Sequence, residues 1–154
     1  GSIGVISRSG GMSSETSLVL SQEGLGQSTV VSCGSDVLMG KSFKELAILL
    51  EQDLETKGIV LFGEIGGTSE EDLAQYLLKR KQEGKAFTKP IVACISGIFA
   101  QKLGMQNVSL GHAGAIIEEN KGTRENKVKV LKEAGVIIAD VHHKVGSLMR
   151  KVLQ

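Results

Sequence analysis

The chain has 154 residues, of which 41% are hydrophobic, with 18 Lys and Arg against 17 Asp and Glu for a formal charge of +1. That is about one domain's worth of chain with enough apolar residues for a core. The near-zero charge gives no electrostatic reason for a nucleic acid, a membrane surface or a strongly acidic partner. No run approaches the roughly 18 apolar residues of a bilayer span, no basic flank precedes an apolar stretch as in a signal peptide, and no Cys/His clustering marks a metal site.

The first run, "IGVIS" (3–7), is short and almost continuously apolar, as a strand covered on both faces reads. It leads through Ser9-Gly10-Gly11 to a helix predicted over 13–23, stopped by Gly24. A glycine pair between a strand and a helix N-terminus presents backbone N–H groups, and with the helix dipole these make an anion site. The hydroxyls of Ser9 and Ser13 are candidate further donors, and a tight turn with a serine cap is the plainer alternative. Glu15 then falls in the first helical turn, where an acidic residue suits the macrodipole.

A second strand is predicted at "STVVSC" (28–33). The following "GSDVLMGKS" (34–42) imitates a phosphate-binding P-loop, but five residues separate its glycines where the motif needs four. Lys41 and Ser42 read instead as the start of a helix over 43–54, with Ser42 and Glu45 spaced as a capping box. The third strand, "GIVLFG" (58–63), runs into Glu64-Ile65-Gly66-Gly67-Thr68 and a helix over 69–84, with Glu71 three residues after Thr68. The fourth, "PIVACIS" (90–96), leads through a longer segment to "GHAGAII" (111–117). Thr123 opens a helix over 124–134, "GVIIAD" (135–140) is the fifth strand, and residues 144–153 form a last amphipathic helix. His142 and His143 sit in a charged loop and read as solvated. Cys33 and Cys94, each inside an apolar run, read as free thiols of a reducing compartment.

Strands alternating with helices specify an α/β three-layer, flavodoxin-like sandwich on a five-stranded parallel sheet. With right-handed crossovers the common solution is the order 2-1-3-4-5, which makes strands 1, 3 and 4 neighbours and places ligands beyond their carboxyl ends. The three glycine-flanked segments after those strands then converge. Glu64, either a surface carboxylate or a functional one, is placed there to accept a hydrogen bond from one nitrogen of an imidazole. That fixes the tautomer and leaves the other nitrogen's lone pair free to attack. His112 is the candidate imidazole, with a structural histidine as the commoner alternative for a lone one. Gly111 and Gly114 strip bulk from around it, which argues against a packed structural histidine.

Taken together, "GVISRSGGMSSE", "GLGQS", "GEIGGTSEED", "TKPIVA", "GHAGAII" and "KGTRENKVKVLKEAGV" resemble, in order and from about residue 2 to the end, the carboxyl-terminal CoA-ligase domain of the succinyl-CoA synthetase α subunit, a domain also found in ATP-citrate lyase and citryl-CoA synthetase. The resemblance implies an NDP-forming acid–thiol ligase in which His112 becomes phosphorylated from ATP or GTP with Mg and passes the phosphoryl group to a small carboxylic acid. CoA then attacks the acyl phosphate. Glu64 holds the imidazole, and Ser9, Gly10 and Gly11 begin a helix aimed at the phosphate. In the citrate enzyme the glutamate matching Glu15 takes part in chemistry at the citryl group. The family places a CoA-binding Rossmann domain upstream and an ATP-grasp β-type partner subunit or domain beside this one, so residues 1–154 are expected to be a single phosphohistidine domain, inactive in isolation and working in the cytoplasm, or the mitochondrial matrix of a eukaryote. The chain departs from the succinate pattern at Gly11-Met12, at "GSDV" (34–37) and over 96–110, where it looks more like ATP-citrate lyase. A binding or assembly module without phosphorylation is the alternative of another class.

Overall fold

A computed structural model describes residues 1–34, 40–98 and 122–154. Strands β1 (Ile3–Ser7), β2 (Gln27–Ser32), β3 (Gly58–Gly63), β4 (Ile91–Ile95) and β5 (Ile137–Ile138) form one parallel sheet in the order 2-1-3-4-5, the order expected as the common solution for five such strands. The described helices are α1 (Gly10–Gln22), α2 (Phe43–Gln52), α3 (Ser69–Gln82), α4 (Arg124–Glu133) and α5 (Val145–Val152), with a 3₁₀ turn at His142–Lys144.

Side chains alternate across the strands, so the two faces fill separately. On one face Ile6, Ile59, Leu61, Ile91 and Ala93 pack against Phe43, Leu46, Leu73, Leu77 and Leu131 of α2, α3 and α4. On the other, Val5, Val60, Phe62 and Val92 meet Leu20, Val145 and Met149 of α1 and α5. Each buried Val, Leu, Ile, Phe or Met side chain among them contributes about 1.5–3 kcal/mol by leaving water. Among the described residues, three helices on the first face and two on the second make the three-layer sandwich. Gly4 and Gly58 allow close packing: a β-carbon at Gly4 would stand 2.6 Å from Leu50 Cδ1, and one at Gly58 2.6 Å from Met149 Sδ.

Three local expectations are corrected. Helix α1 begins at Gly10, not at 13, because Ser9 in extended conformation (φ −111°, ψ 129°) caps it, its Oγ accepting from Met12 N. The glycine pair is therefore the first turn of the helix, and Glu15 lies in the second turn, exposed. The expected cap on α3 is absent: Thr68 makes no side-chain cap bond, and its Oγ1 donates to Asp72 Oδ2 at 3.3 Å. The fifth strand keeps only two residues of its apolar run, pairing with Val92 and Ala93 at the sheet edge. The capping box of Ser42 and Glu45 is present in full, as is the Thr123 cap of α4. Cys33 and Cys94 are both free thiols, and burial pushes each pKa up, with Arg8 opposing the shift at Cys33 and Arg124 at Cys94. No helix among the described residues is long and apolar enough to cross a membrane.

Candidate active site

Register places the site. Ser7, the last residue of β1, pairs with Phe62 of β3, and the Arg8 N–H donates to Phe62 O at 3.0 Å. Gly63 in turn pairs with Ile95 of β4. The segments that follow β1, β3 and β4 therefore leave the same edge of the sheet side by side.

After β1 the chain turns tightly. Ser7 Oγ donates to Ser9 O at 2.7 Å and accepts from Ser9 N at 3.1 Å, and this fixes Ser9 as the cap of α1. The amides of Gly10 and Gly11 lead the helix, where no intrahelical acceptor exists. Both glycines are exposed. Neither has a positive φ, and a β-carbon would find only Ser32 Oγ, at 4.0 Å, near Gly10 and nothing within 4 Å of Gly11. No contact among the described residues requires these glycines, which stand exposed at the head of the helix. Ser13 is a correction: it is buried and its Oγ donates inward to Gly10 O at 2.6 Å, so it adds no donor to an anion there.

After β3, Glu64 is only 8% exposed, and so is no surface carboxylate. Arg8 Nε stands 3.7 Å from its Oε1. Gly66 and Gly67 both take positive φ, +86° and +61°, a pair of left-handed positions that only glycine adopts readily. The Gly66 carbonyl accepts from Arg8 Nη1 at 2.6 Å and from Lys127 Nζ at 2.7 Å. Glu70 accepts the Glu64 main-chain N–H at 3.2 Å and pairs with Lys127, and Glu71 accepts the Gly122 N–H at 3.0 Å.

His112, with Gly111 and Gly114, lies outside the described residues. The described residues on either side of 99–121 both abut the Glu64 turn. Ser96 N donates to Gly63 O at 2.9 Å, and Gly97, at φ +107°, lies against Ile65. At the other end the Gly66 N–H donates to Gly122 O at 2.7 Å, and a β-carbon on Gly122 would approach Gly66 Cα to 3.1 Å. Arg124 Nε donates to Ile95 O at 2.8 Å, fastening the start of α4 to the end of β4.

Arg8, Glu70, Glu71 and Lys127 are absent from the candidates read off the sequence. Glu70 and Glu71 pass there as ordinary acids of a first helical turn. Lys127 carries a weak signal: it lies four residues before the buried Leu131, on the apolar register of α4. His142 is a further correction. It is half-buried, with Nε2 at 2.9 Å from Thr16 Oγ1 and its ring edge-on to Phe62, and burial holds its pKa below the ordinary imidazole value while Glu15 opposes the shift. His143 is exposed, as expected. A cleft of about 530 Å³ opens between Met12, Phe62, Ser96, Ile98, Asp140 and His142, along the same edge of the sheet. Chemically, the edge combines an exposed helix N-terminus, of the kind that suits an anion, with the buried carboxylate of Glu64.

The CoA-ligase family pattern matches residues 6–137. The ADP-forming sulfoacetate-CoA ligase subunit SqwL of an Acholeplasma species is 41% identical over 152 residues, covering 99% of this chain and 48% of that protein. The mitochondrial alpha-2 subunit of an ADP-forming succinate–CoA ligase from Trichomonas vaginalis is 45% identical over 139 residues, 90% of this chain and 43% of that protein. The chain thus spans about half the length of these relatives. Among solved structures, ATP citrate lyase from Methanothrix soehngenii in complex with citrate and coenzyme A superposes with a TM-score of 0.88 at 30% identity, over 99% of this chain and 24% of that one.

Proposed function

The chain belongs to the CoA-ligase family, and on that premise we propose that it is the phosphohistidine domain of an NDP-forming acyl-CoA synthetase of the succinyl-CoA synthetase α-subunit type. A nitrogen lone pair of His112 forms a bond to the γ-phosphorus of ATP or GTP as the bond to the departing diphosphate breaks. A carboxylate oxygen of a small acid then takes the phosphoryl group and frees the imidazole. The CoA thiolate attacks the acyl carbon, and phosphate leaves. Glu64 accepts the other imidazole N–H, and the amides of Gly10 and Gly11, capped through Ser9, face the phosphoryl oxygens. A helix terminus stabilises such an anion by about 0.3–2 kcal/mol.

The observation that carries this reading is the convergence on one turn: the residues bracketing 99–121 both rest on the segment that holds Glu64, one strand away from the exposed N-terminus of α1. In this reading CoA, the nucleotide and its Mg bind mainly to an upstream Rossmann domain and an ATP-grasp partner, so this domain alone completes no turnover. The complex works in the cytoplasm, or in the matrix of a mitochondrion.

A succinate-type or related small acid is favoured as substrate, since the relatives at 41–45% identity are sulfoacetate and succinate ligase subunits, whereas the lyase structure stands at 30%. Glu15 belongs to the citrate alternative alone, and its exposed place in the second turn of α1 gives that alternative no added support.

The test is incubation of the assembled enzyme with γ-labelled ATP or GTP. Acid-labile, alkali-stable label on the wild type, lost in His112→Ala, is the expected result. No label on the wild type, or equal label on the variant, removes the phosphohistidine reading in favour of a binding or assembly module. Succinate, sulfoacetate and citrate are then compared for discharge of the label.

A further inference from the structure

Arg8, Glu70 and Lys127 are buried, charged and without a part in the bond changes just described. Burying ions is costly, and a well-packed apolar substitute is often as stable or more so, so stability alone is a weak account of such a set. All three act on one short stretch of backbone. Glu70 Oε1 takes the Glu64 N–H at 3.2 Å, while Glu70 Oε2 holds Lys127. Lys127 and Arg8 then both donate to the carbonyl of Gly66, two residues further on.

We propose that Glu70, acting with Lys127 and Arg8, is a positioning residue that clamps the Glu64 turn so that the Glu64 carboxylate is held toward the phosphoryl site. The proposal deepens the phosphohistidine reading and rests on it.

The turn needs an outside hold. Gly66 and Gly67 sit at positive φ, and glycine has more backbone freedom to lose than any other residue. Glu64 lies between β3, which is fixed by its ladder, and this pliable pair. Its own N–H is tied to α3 through Glu70. The carbonyl after it is tied to β1 through Arg8 and to α4 through Lys127. The clamp therefore draws on elements from both sides of the turn, and its centre is a single carboxylate with one oxygen on each half. A displacement near 1 Å at a reacting group costs up to about 10²-fold in rate.

The experiment uses the assembled enzyme and follows both the rate and the end-point of phosphoryl incorporation from γ-labelled ATP into Glu70→Gln and Glu70→Ala. The glutamine keeps an oxygen for the Glu64 N–H but loses the charge that holds Lys127, and the alanine loses both. The expected result is a full end-point per chain and an unchanged KM for the nucleotide in both. The rate falls by roughly 10-fold in the glutamine variant and up to about 10²-fold in the alanine variant. A wild-type rate in Glu70→Gln and Glu70→Ala overturns the proposal. So does an end-point that falls with the folded fraction while the rate per labelled chain stays unchanged, the mark of a merely structural role. If neither single variant folds, Glu70→Gln/Lys127→Met removes the pair whole and leaves no lone buried charge at that pair; the same slow rate with a full end-point is expected, and a wild-type rate overturns the clamp. Absence of label on the wild type overturns the phosphohistidine reading and this proposal together, whereas normal labelling of wild type and variants overturns the clamp alone.

Discussion

Lys127 of α4 and Glu70 of α3 form an ion pair in which neither side chain has any exposure. Lys127 has a second carboxylate, Glu71, at 3.8 Å. Removing one partner of a buried pair leaves an uncompensated charge and costs about 3–5 kcal/mol, while replacing both is often close to neutral. Lys127→Met is therefore expected to lower unfolding stability by about that amount, and Glu70→Gln/Lys127→Met to recover most of it. Urea denaturation of the two single variants and the double one gives the coupling. Strictly additive effects would show that the two charges do not depend on each other.

Gly122 makes a second case. Its φ is +77°, and a β-carbon there would meet backbone atoms of Gly66 and Gly67 at 3.1 Å. Those atoms belong to the turn after Glu64 and cannot rotate away as a side chain would. Gly122→Ala is expected to destabilise the fold by about 1–3 kcal/mol, combining backbone strain with overpacking. By contrast, Gly84→Ala, also at positive φ but with open space around it, carries the strain alone. Comparing the two melts isolates the contact, and equal losses would mean that the Gly66–Gly122 approach is unimportant.

Much of the architecture is legible in the sequence because it depends on local pattern. The runs at 3–7 and 58–63 are the strands β1 and β3 to the residue, and the Ser42 and Thr123 caps start their helices where the spacing predicts. The start of α1 is not legible, because a glycine pair reads as a break although the Ser7–Ser9 turn makes it the helix's first turn. The site divides in the same way. Glu64 and the glycines stand out as candidates by their setting. The clamp does not, because Arg8, Glu70 and Lys127 look like ordinary surface charges until β1, α3 and α4 are packed together. Their burial is a property of pairing across 57 to 61 residues of chain, which local period encodes only weakly, at Lys127 alone. His142 is misread for the same reason: its partners, Thr16 and Phe62, come from distant segments.

His142 yields a pH prediction with a definite sign. Burial is the largest influence and lowers its pKa, His143 lowers it further, and the Glu15 carboxylate pulls it back up. A histidine whose folded pKa lies below its unfolded value of about 6.5 stabilises the fold fully above that value. The contribution is lost as pH falls through the depressed folded pKa, because the unfolded state binds the proton more readily. Stability measured by denaturant should therefore decline as pH drops below about 6.5, and His142→Gln should reduce that slope. A nuclear magnetic resonance titration placing the His142 ring at or above the ordinary value would contradict the burial argument.

The glycines at the head of α1 separate stability from activity most cleanly. Gly11 is exposed, has no positive φ, and a β-carbon there would touch nothing within 4 Å. Glycine inside a helix is up to about 1 kcal/mol less favourable than alanine, so on folding grounds Gly11→Ala should be neutral or mildly stabilising. If the bare amides exist so that phosphoryl oxygens can approach, the added methyl group stands where the ligand belongs. The expected outcome is a variant that melts no lower than wild type yet takes up phosphoryl label more slowly in the assembled enzyme. Gly24→Ala supplies the opposite control: its φ of +74° strains any side chain, so it should lower stability without slowing the labelling of folded protein. Full labelling speed in Gly11→Ala would mean that the phosphate does not lie against this helix end, and the donors would have to be sought elsewhere along the carboxyl edge of the sheet.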